Sequence, residues 1–114
     1  MTRGEIMTSE QLIDAIEGVW LTDNNSCEEV ENVYIGDLLS WVMSHAKKGD
    51  AWITVLTNVN VAAVALLTEV SVVILPEDIQ PEPLCLKKAN ENGIAMISTK
   101  YTAFEVAKKI AKYL

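Results

Sequence analysis

One histidine, two cysteines and five glycines in 114 residues leave little material for the common catalytic and metal-binding devices. Cys27 and Cys85 form no C-x-x-C pair and have no histidine or cysteine cluster around them, which argues against a structural zinc or redox motif. Two free thiols, suited to a reducing cytoplasm, are the expectation. No glycine opens a G-x-G-x-x-G, and no G-x-x-x-x-G-K-[ST] follows a strand, so neither a dinucleotide fingerprint nor a P-loop is present. G-x-S-x-G and H-E-x-x-H are missing too. Without a nucleophile and a base that can be placed together, no enzymatic activity and no cofactor are expected. The lone His45 falls in the last turn of a predicted helix, where the helix end favours a charged imidazole at the surface.

Positive charge is also scarce. Nine basic side chains face sixteen acidic ones, for a net charge of −7, and such a surface repels polyanions, so nucleic acid is excluded as a partner. Most lysines fall in the groups Lys47–Lys48, Lys87–Lys88 and Lys108–Lys112, each placed in the last half of a predicted helix, where cations complement the macrodipole. Long apolar runs are absent as well. The opening MTRGEIMTS has no apolar segment of the secretory type, and Met1–Ile6 reads as a disordered leader. The run Val59–Leu75 is interrupted by Asn60, Thr68 and Glu69 and falls short of the roughly 20 residues of a membrane span. Asp23, Asn25 and Cys27 share the spacing of a calcium loop's first ligands. However, Glu28 stands where that loop needs glycine and Tyr34 where it needs glutamate, so no metal site is expected.

What the chain does have is an apolar block, Gly49–Leu75, that reads as a strand (Ala51–Leu56), a polar corner (Thr57–Asn60), an apolar helix and a second strand (Val70–Leu75). Neither strand alternates, as expected of strands covered on both faces of a parallel sheet. The pattern then repeats through a helix at 83–92, a strand at 94–98 and a helix at 102–112. Before the block come a helix from Thr8 to about Glu17 stopped by Gly18, short strands at Val19–Thr22 and Asn32–Gly36, and a helix over Leu38–Lys48 capped by Asp37. Thr8 with Gln11 and Thr102 with Glu105 have capping-box spacing. Phe104, Ala107, Ile110, Ala111 and Leu114 give the last helix one apolar face. The expected fold is a single α/β domain over 1–114. It has a mainly parallel sheet of three core strands plus one or two short N-terminal strands, flanked by about five helices.

Ligands of open α/β sheets sit beyond the carboxyl ends of the strands. That edge would collect Thr57, Asn58 and Asn60, then Pro76-Glu77-Asp78, then Ser98, Thr99 and Lys100. Helix N-termini near Asn60 and Thr102 would offer amides to an anion, with Lys100 as countercharge. The candidate ligand-binding residues are therefore Thr57, Asn58, Asn60, Ser98, Thr99 and Lys100; helix capping is the competing use of Asn58, Asn60 and Thr102. A helix over Val61–Leu67 that is apolar on every side has more surface to hide than one sheet face supplies. Trp41, Trp52, Val61 and Val64 are accordingly the candidate interface residues, with core packing the alternative for Trp52.

From Val33 onward, YIGDLLSWVMSHAKKGDAWITVLTNVNVAAVALL and ENGIAMISTKYTAFEVAKKI, the chain resembles the DRTGG domain. Asp37-Leu38-Leu39-Ser40, Gly49-Asp50-x-Trp52-Ile53-Thr54 and Gly93…Ile97-Ser98-Thr99 with Phe104-Glu105 carry the likeness. It is similar to small stand-alone proteins related to the domain that precedes the kinase half of HPr kinase, a domain that also accompanies CBS domains and phosphotransacetylases. The resemblance implies that fold without the kinase's P-loop half, a homodimer, and a regulatory or assembly role, some relatives occurring beside redox genes. The naming motif departs. Asn58-Val59-Asn60-Val61 stands where Asp-Arg is expected, and Leu75-Pro76-Glu77 where Thr-Gly-Gly is expected.

Two functions follow. One is a non-catalytic regulatory or interaction module, a homodimer contributing to a redox or metabolic complex. The other is a small-molecule sensor binding a nucleotide or another anion at the strand-end edge.

Overall fold

A computed structural model describes residues 6–114, so all of the expected leader except the exposed Ile6 lies outside the described residues. The elements run α1 (Ser9–Ile16), β1 (Val19–Trp20), β2 (Asn32–Ile35), α2 (Leu39–His45), β3 (Asp50–Ile53), α3 (Asn60–Thr68), β4 (Val72–Leu75), α4 (Pro83–Glu91), β5 (Met96–Ser98) and α5 (Ala103–Ala111). One five-stranded sheet, in the order β1-β5-β4-β3-β2, organises them. β2 to β5 are all parallel, and β1 closes the other edge antiparallel to β5, with Val19 opposite Ser98. The sheet is thus mixed, and its parallel part has one strand more than expected. Asn32–Ile35 continues the parallel run because it pairs residue for residue with Asp50–Ile53.

Strand residues alternate between two cores. Ala51, Ile53, Val72, Ile74 and Ile97 pack with α1 and α5 on one face. Trp52, Val73, Leu75 and Met96 pack with α2, α3 and α4 on the other. Such double coverage explains why β3, β4 and β5 are buried at every position and why their sequences do not alternate.

Both capping boxes form. The Thr8 and Thr102 hydroxyls accept from the amides of Gln11 and Glu105, whose side chains reach back to the capping residues' own amides. Pro83 opens α4 as expected. Other local readings are corrected. Asp37 does not cap α2; its Oδ1 accepts from Thr54 Oγ1 at 2.8 Å and from the Val55 amide at 2.9 Å, and Leu38 occupies the cap. Helix α2 ends at His45, before Lys47 and Lys48, because the buried Asp50 carboxylate accepts the Lys47 amide at 2.8 Å and turns the chain. Gly49 completes that turn at φ 91°.

At the end of α1 the left-handed residue is Glu17, at φ 49°. Gly18 is needed for space instead, since a Cβ there would lie 2.7 Å from Ile97 Cγ2. On α5 the buried face is centred on Val106 and Ile110, while Phe104 is 73% exposed. At 100° per residue, position 104 lies about 120° from position 110, so one helix face cannot hold both against the sheet.

Candidate functional site

The parallel strands β3, β4 and β5 lie side by side, so the segments that leave their carboxyl ends share one edge of the sheet. The six candidate ligand-binding residues come to this edge, and the chain's own groups engage most of them. Thr57 Oγ1 donates to Glu82 Oε2 at 3.4 Å, and the Glu82 amide donates to the Thr57 carbonyl at 2.9 Å. Asn58 Oδ1 accepts the Asn60 amide at 2.9 Å. The next amides of α3 also have partners: Val61 donates to the Asn58 carbonyl, and Ala62 and Ala63 donate to the Val59 carbonyl. At the start of α5 the capping box takes the Thr102 and Glu105 amides. The cradle at α3 is thus filled from within the chain, and the one at α5 in part.

Ser98 and Thr99 are buried. The Thr99 hydroxyl donates to the Ile16 carbonyl at 2.6 Å, tying the end of α1 to the end of β5. Lys100 is exposed, and its Nζ lies 3.0 Å from Glu17 Oε1. Tyr101 donates its hydroxyl to the same carboxylate, and Lys109 Nζ lies 4.4 Å from the centroid of the Tyr101 ring. The Tyr101 hydroxyl and Lys100 hold the Glu17 carboxyl below its usual range. That hydrogen-bonded carboxylate in turn raises the pKa of Lys100 and of Tyr101. Nothing in the sequence marks this cluster, because Glu17 meets Tyr101 across 84 positions.

The loop after β4 lies between these groups. Its Glu77 and Asp78 amides donate to the Tyr101 and Thr99 carbonyls, and both residues are left-handed, at φ 57° and 59°. Side chains other than glycine pay about 1 kcal/mol or more for that backbone. The resemblance sets the motif's Thr-Gly-Gly at Leu75-Pro76-Glu77, so of the two left-handed residues only Glu77 falls on an expected glycine, and both carry acidic side chains. Glu77 and Asp78 are exposed and add negative charge to the edge.

The candidate interface residues divide. Trp52 is fully buried and donates its indole N–H to the Gly36 carbonyl at 2.9 Å. Val61 is fully buried and Val64 nearly so, both in the same core cluster. Trp52 points from β3 into this core and Val61 and Val64 face it from α3, so none of the three is available to another molecule in the folded chain. Trp41 does reach the surface, 58% exposed and stacked on the His45 ring. Around the outer side of this layer Leu38, Met43, Leu66 and Leu67 are also exposed, Leu67 by 70%. The seven residues of α2 and the nine of α3 include no Asp, Glu, Lys or Arg. At 100° per residue position 66 falls opposite the pair 61 and 64, while position 67 lies about 60° from 64, at the border of the buried face.

Among the described residues no group of three or more His, Cys, Asp or Glu side chains is placed to hold a metal ion, and no helix is long and apolar enough to cross a membrane. Cys27 and Cys85 are free thiols, and burial pushes the Cys27 thiol up to about 11.

No curated protein sequence matches the chain. In three dimensions it is similar to a crystal structure of the CBS and DRTGG domains of the regulatory region of Clostridium perfringens pyrophosphatase, complexed with the activator diadenosine tetraphosphate. The superposition has a TM-score of 0.72 at 17% identity and covers 90% of this chain but 45% of that one. At that identity the likeness establishes the fold alone, and the chain spans under half of the protein it matches. The sequence profile of the DRTGG domain matches residues 11–113, nearly the whole length, and the chain belongs to the DRTGG domain family.

Proposed function

We propose that this chain is a non-catalytic regulatory module that works as a homodimer through the outer face of α2 and α3. The observation that carries the reading is apolar exposure on these elements: Leu38 at the cap of α2, Trp41 and Met43 within it, and Leu66 and Leu67 on α3 are exposed, and neither helix contains Asp, Glu, Lys or Arg. A chain of net charge −7 repels its own copies, so two copies approach most readily where neither carries a charge. Fold likeness to part of an enzyme's regulatory region supports a regulatory role, exercised on a partner in a metabolic or redox complex. The free thiols suit work in the reducing cytoplasm. Light scattering tests the dimer: at micromolar concentration the mass should be twice 12.6 kDa, and a clean monomer overturns the reading.

A sensor of nucleotides at the strand-end edge is the second reading. The similar structure holds a nucleotide activator, and this chain keeps the left-handed turn at Glu77 and Asp78. A phosphate there must draw Lys100 away from Glu17. Thermal shift with ATP, ADP and diadenosine tetraphosphate, with and without Mg²⁺, checks it. Ligand at a hundred times its Kd adds about 2.7 kcal/mol. A shift that survives Lys100→Ala, or no shift at all, ends this reading.

A further inference from the structure

One hollow away from the strand-end edge brings an indole ring and two carboxylates together. It opens between α1, β1 and the loop that follows β1, has a volume of about 160 Å³, and is lined by Ser9, Glu10, Ile13, Asp14, Trp20 and Asn25. Ile13 and Trp20 are half-buried and rest on the core beneath α1, so they form a fixed apolar wall. Glu10 and Asp14 are exposed. At 100° per residue they project from the side of α1 turned away from the buried Leu12 and Ile16, and being four positions apart they stand one above the other.

The stability of α1 does not explain this pair. Glu10 suits the first turn, but Asp14 falls in the last, where the helix dipole disfavours an anion, and α1 has no basic residue there. Like charges at i and i+4 also repel, at a cost of about 0.2–0.5 kcal/mol. Glu17, the next acid along the chain, is compensated by Lys100 and Tyr101. Glu10 and Asp14 have no such ion pair among the described residues.

An organic cation supplies what is missing. We infer that the hollow binds a primary alkylammonium group, its charge between the Glu10 and Asp14 carboxylates and its methylene chain against Ile13 and Trp20. An ammonium has three N–H donors: the carboxylates take two, and Ser9 and Asn25 bring side-chain oxygens to the lining for the third. Among aromatic side chains tryptophan attracts a cation best. A guanidinium's planar fork suits one carboxylate bidentately, whereas two carboxylates on successive turns converge on a point charge. Calcium would need about six to eight oxygen ligands, and among the described residues no group of three His, Cys, Asp or Glu is placed to hold a metal. The net charge of −7 draws cations toward the surface. A free diamine and a lysine side chain of a partner protein both present this chemistry. The hollow lies on the opposite face of the sheet from α2 and α3, so it works independently of a dimer there.

Indole NMR tests the site. Trp20, Trp41 and Trp52 give separate indole N–H signals, and Trp20→Phe assigns the one that matters. Titration with Nα-acetyllysine methylamide should shift the Trp20 indole signal and the amides of positions 9–14 saturably, with a Kd of about 1 mM. The same compound acetylated at Nε has lost its charge and should leave these signals in place. Glu10→Gln/Asp14→Asn should weaken binding roughly tenfold. Its melting temperature should equal or exceed that of the wild type, since the pair is not held for the sake of the helix. A parallel titration with 1,4-diaminobutane separates the sources: tighter binding of the diamine assigns the hollow to a free polyamine, and tighter binding of the lysine compound assigns it to a protein side chain. No saturation of either by about 20 mM, an equal shift with the acetylated compound, or binding unchanged in the double variant overturns the proposal. A lower melting temperature of that variant overturns it as well, because the carboxylates then serve the fold.

Discussion

Helices α3 and α5 are each nine residues long and lie against opposite faces of one sheet, yet α5 carries three charged residues and α3 none. Helix α5 begins with a capping box, keeps Val106 and Ile110 inside, and ends in lysines that complement its dipole. Its order is largely explained by its own chain. Helix α3 has no side-chain cap, and although Val61, Ala62, Val64 and Ala65 are buried, Leu66 and Leu67 are left to solvent. An isolated surface helix would carry polar residues there. The sheet alone does not account for the composition of α3; the proposed homodimer would.

Trp52→Ala should have the largest effect. It empties a fully buried site on the α3 side and strands the Gly36 carbonyl, so urea denaturation should show a loss of about 3–5 kcal/mol. That loss should not depend on protein concentration, as it would if Trp52 sat between subunits. Gly18→Ala disturbs the α1 side, where its Cβ would press on Ile97, and should cost about 1–3 kcal/mol in the same assay.

Thr102→Ala removes the cap of α5 and should cost about 1 kcal/mol, whereas the cap position of α3, Val59, has no side-chain hydrogen bond to lose. In the same box the Glu105 carboxyl is held below its usual range, chiefly by the Thr102 amide. A depressed folded-state pKa contributes stability above the unfolded value and loses it as pH falls through the folded value. The stability difference between the wild type and Glu105→Gln should therefore be full at neutral pH and be lost only as pH falls below the ordinary carboxylate range, through the depressed folded value. Replacing the left-handed Glu77 or Asp78 by glycine should work in the opposite direction, raising stability by up to about 1 kcal/mol in urea melts.

How well each feature could be read from sequence followed the distance over which it is built. Both capping boxes were legible because each joins residues three positions apart. The double coverage of β3 and β4 was legible from their unbroken apolar runs. Asp37 looked like a helix cap because Leu38 follows it, but its partners at Thr54 and Val55 lie 17 and 18 positions away. The antiparallel edge strand β1 is two residues long, too short for a pattern to show its direction. At the strand-end edge the residues were legible and their partners were not: Lys100 reads as a free cation until Glu17 folds beside it. Trp52, Val61 and Val64 were legible as apolar but not as inward-facing, since a helix or strand without polar residues leaves no mark of which side meets the sheet.

Sedimentation equilibrium of the wild type beside Leu67→Glu tests the proposed dimer face most directly. Leu67 is 70% exposed in the single chain, so the variant should fold with a stability within about 0.5 kcal/mol of the wild type. The wild type should sediment at twice 12.6 kDa and the variant at 12.6 kDa. Two equal masses, both monomeric or both dimeric, would contradict a homodimer built on the outer face of α2 and α3.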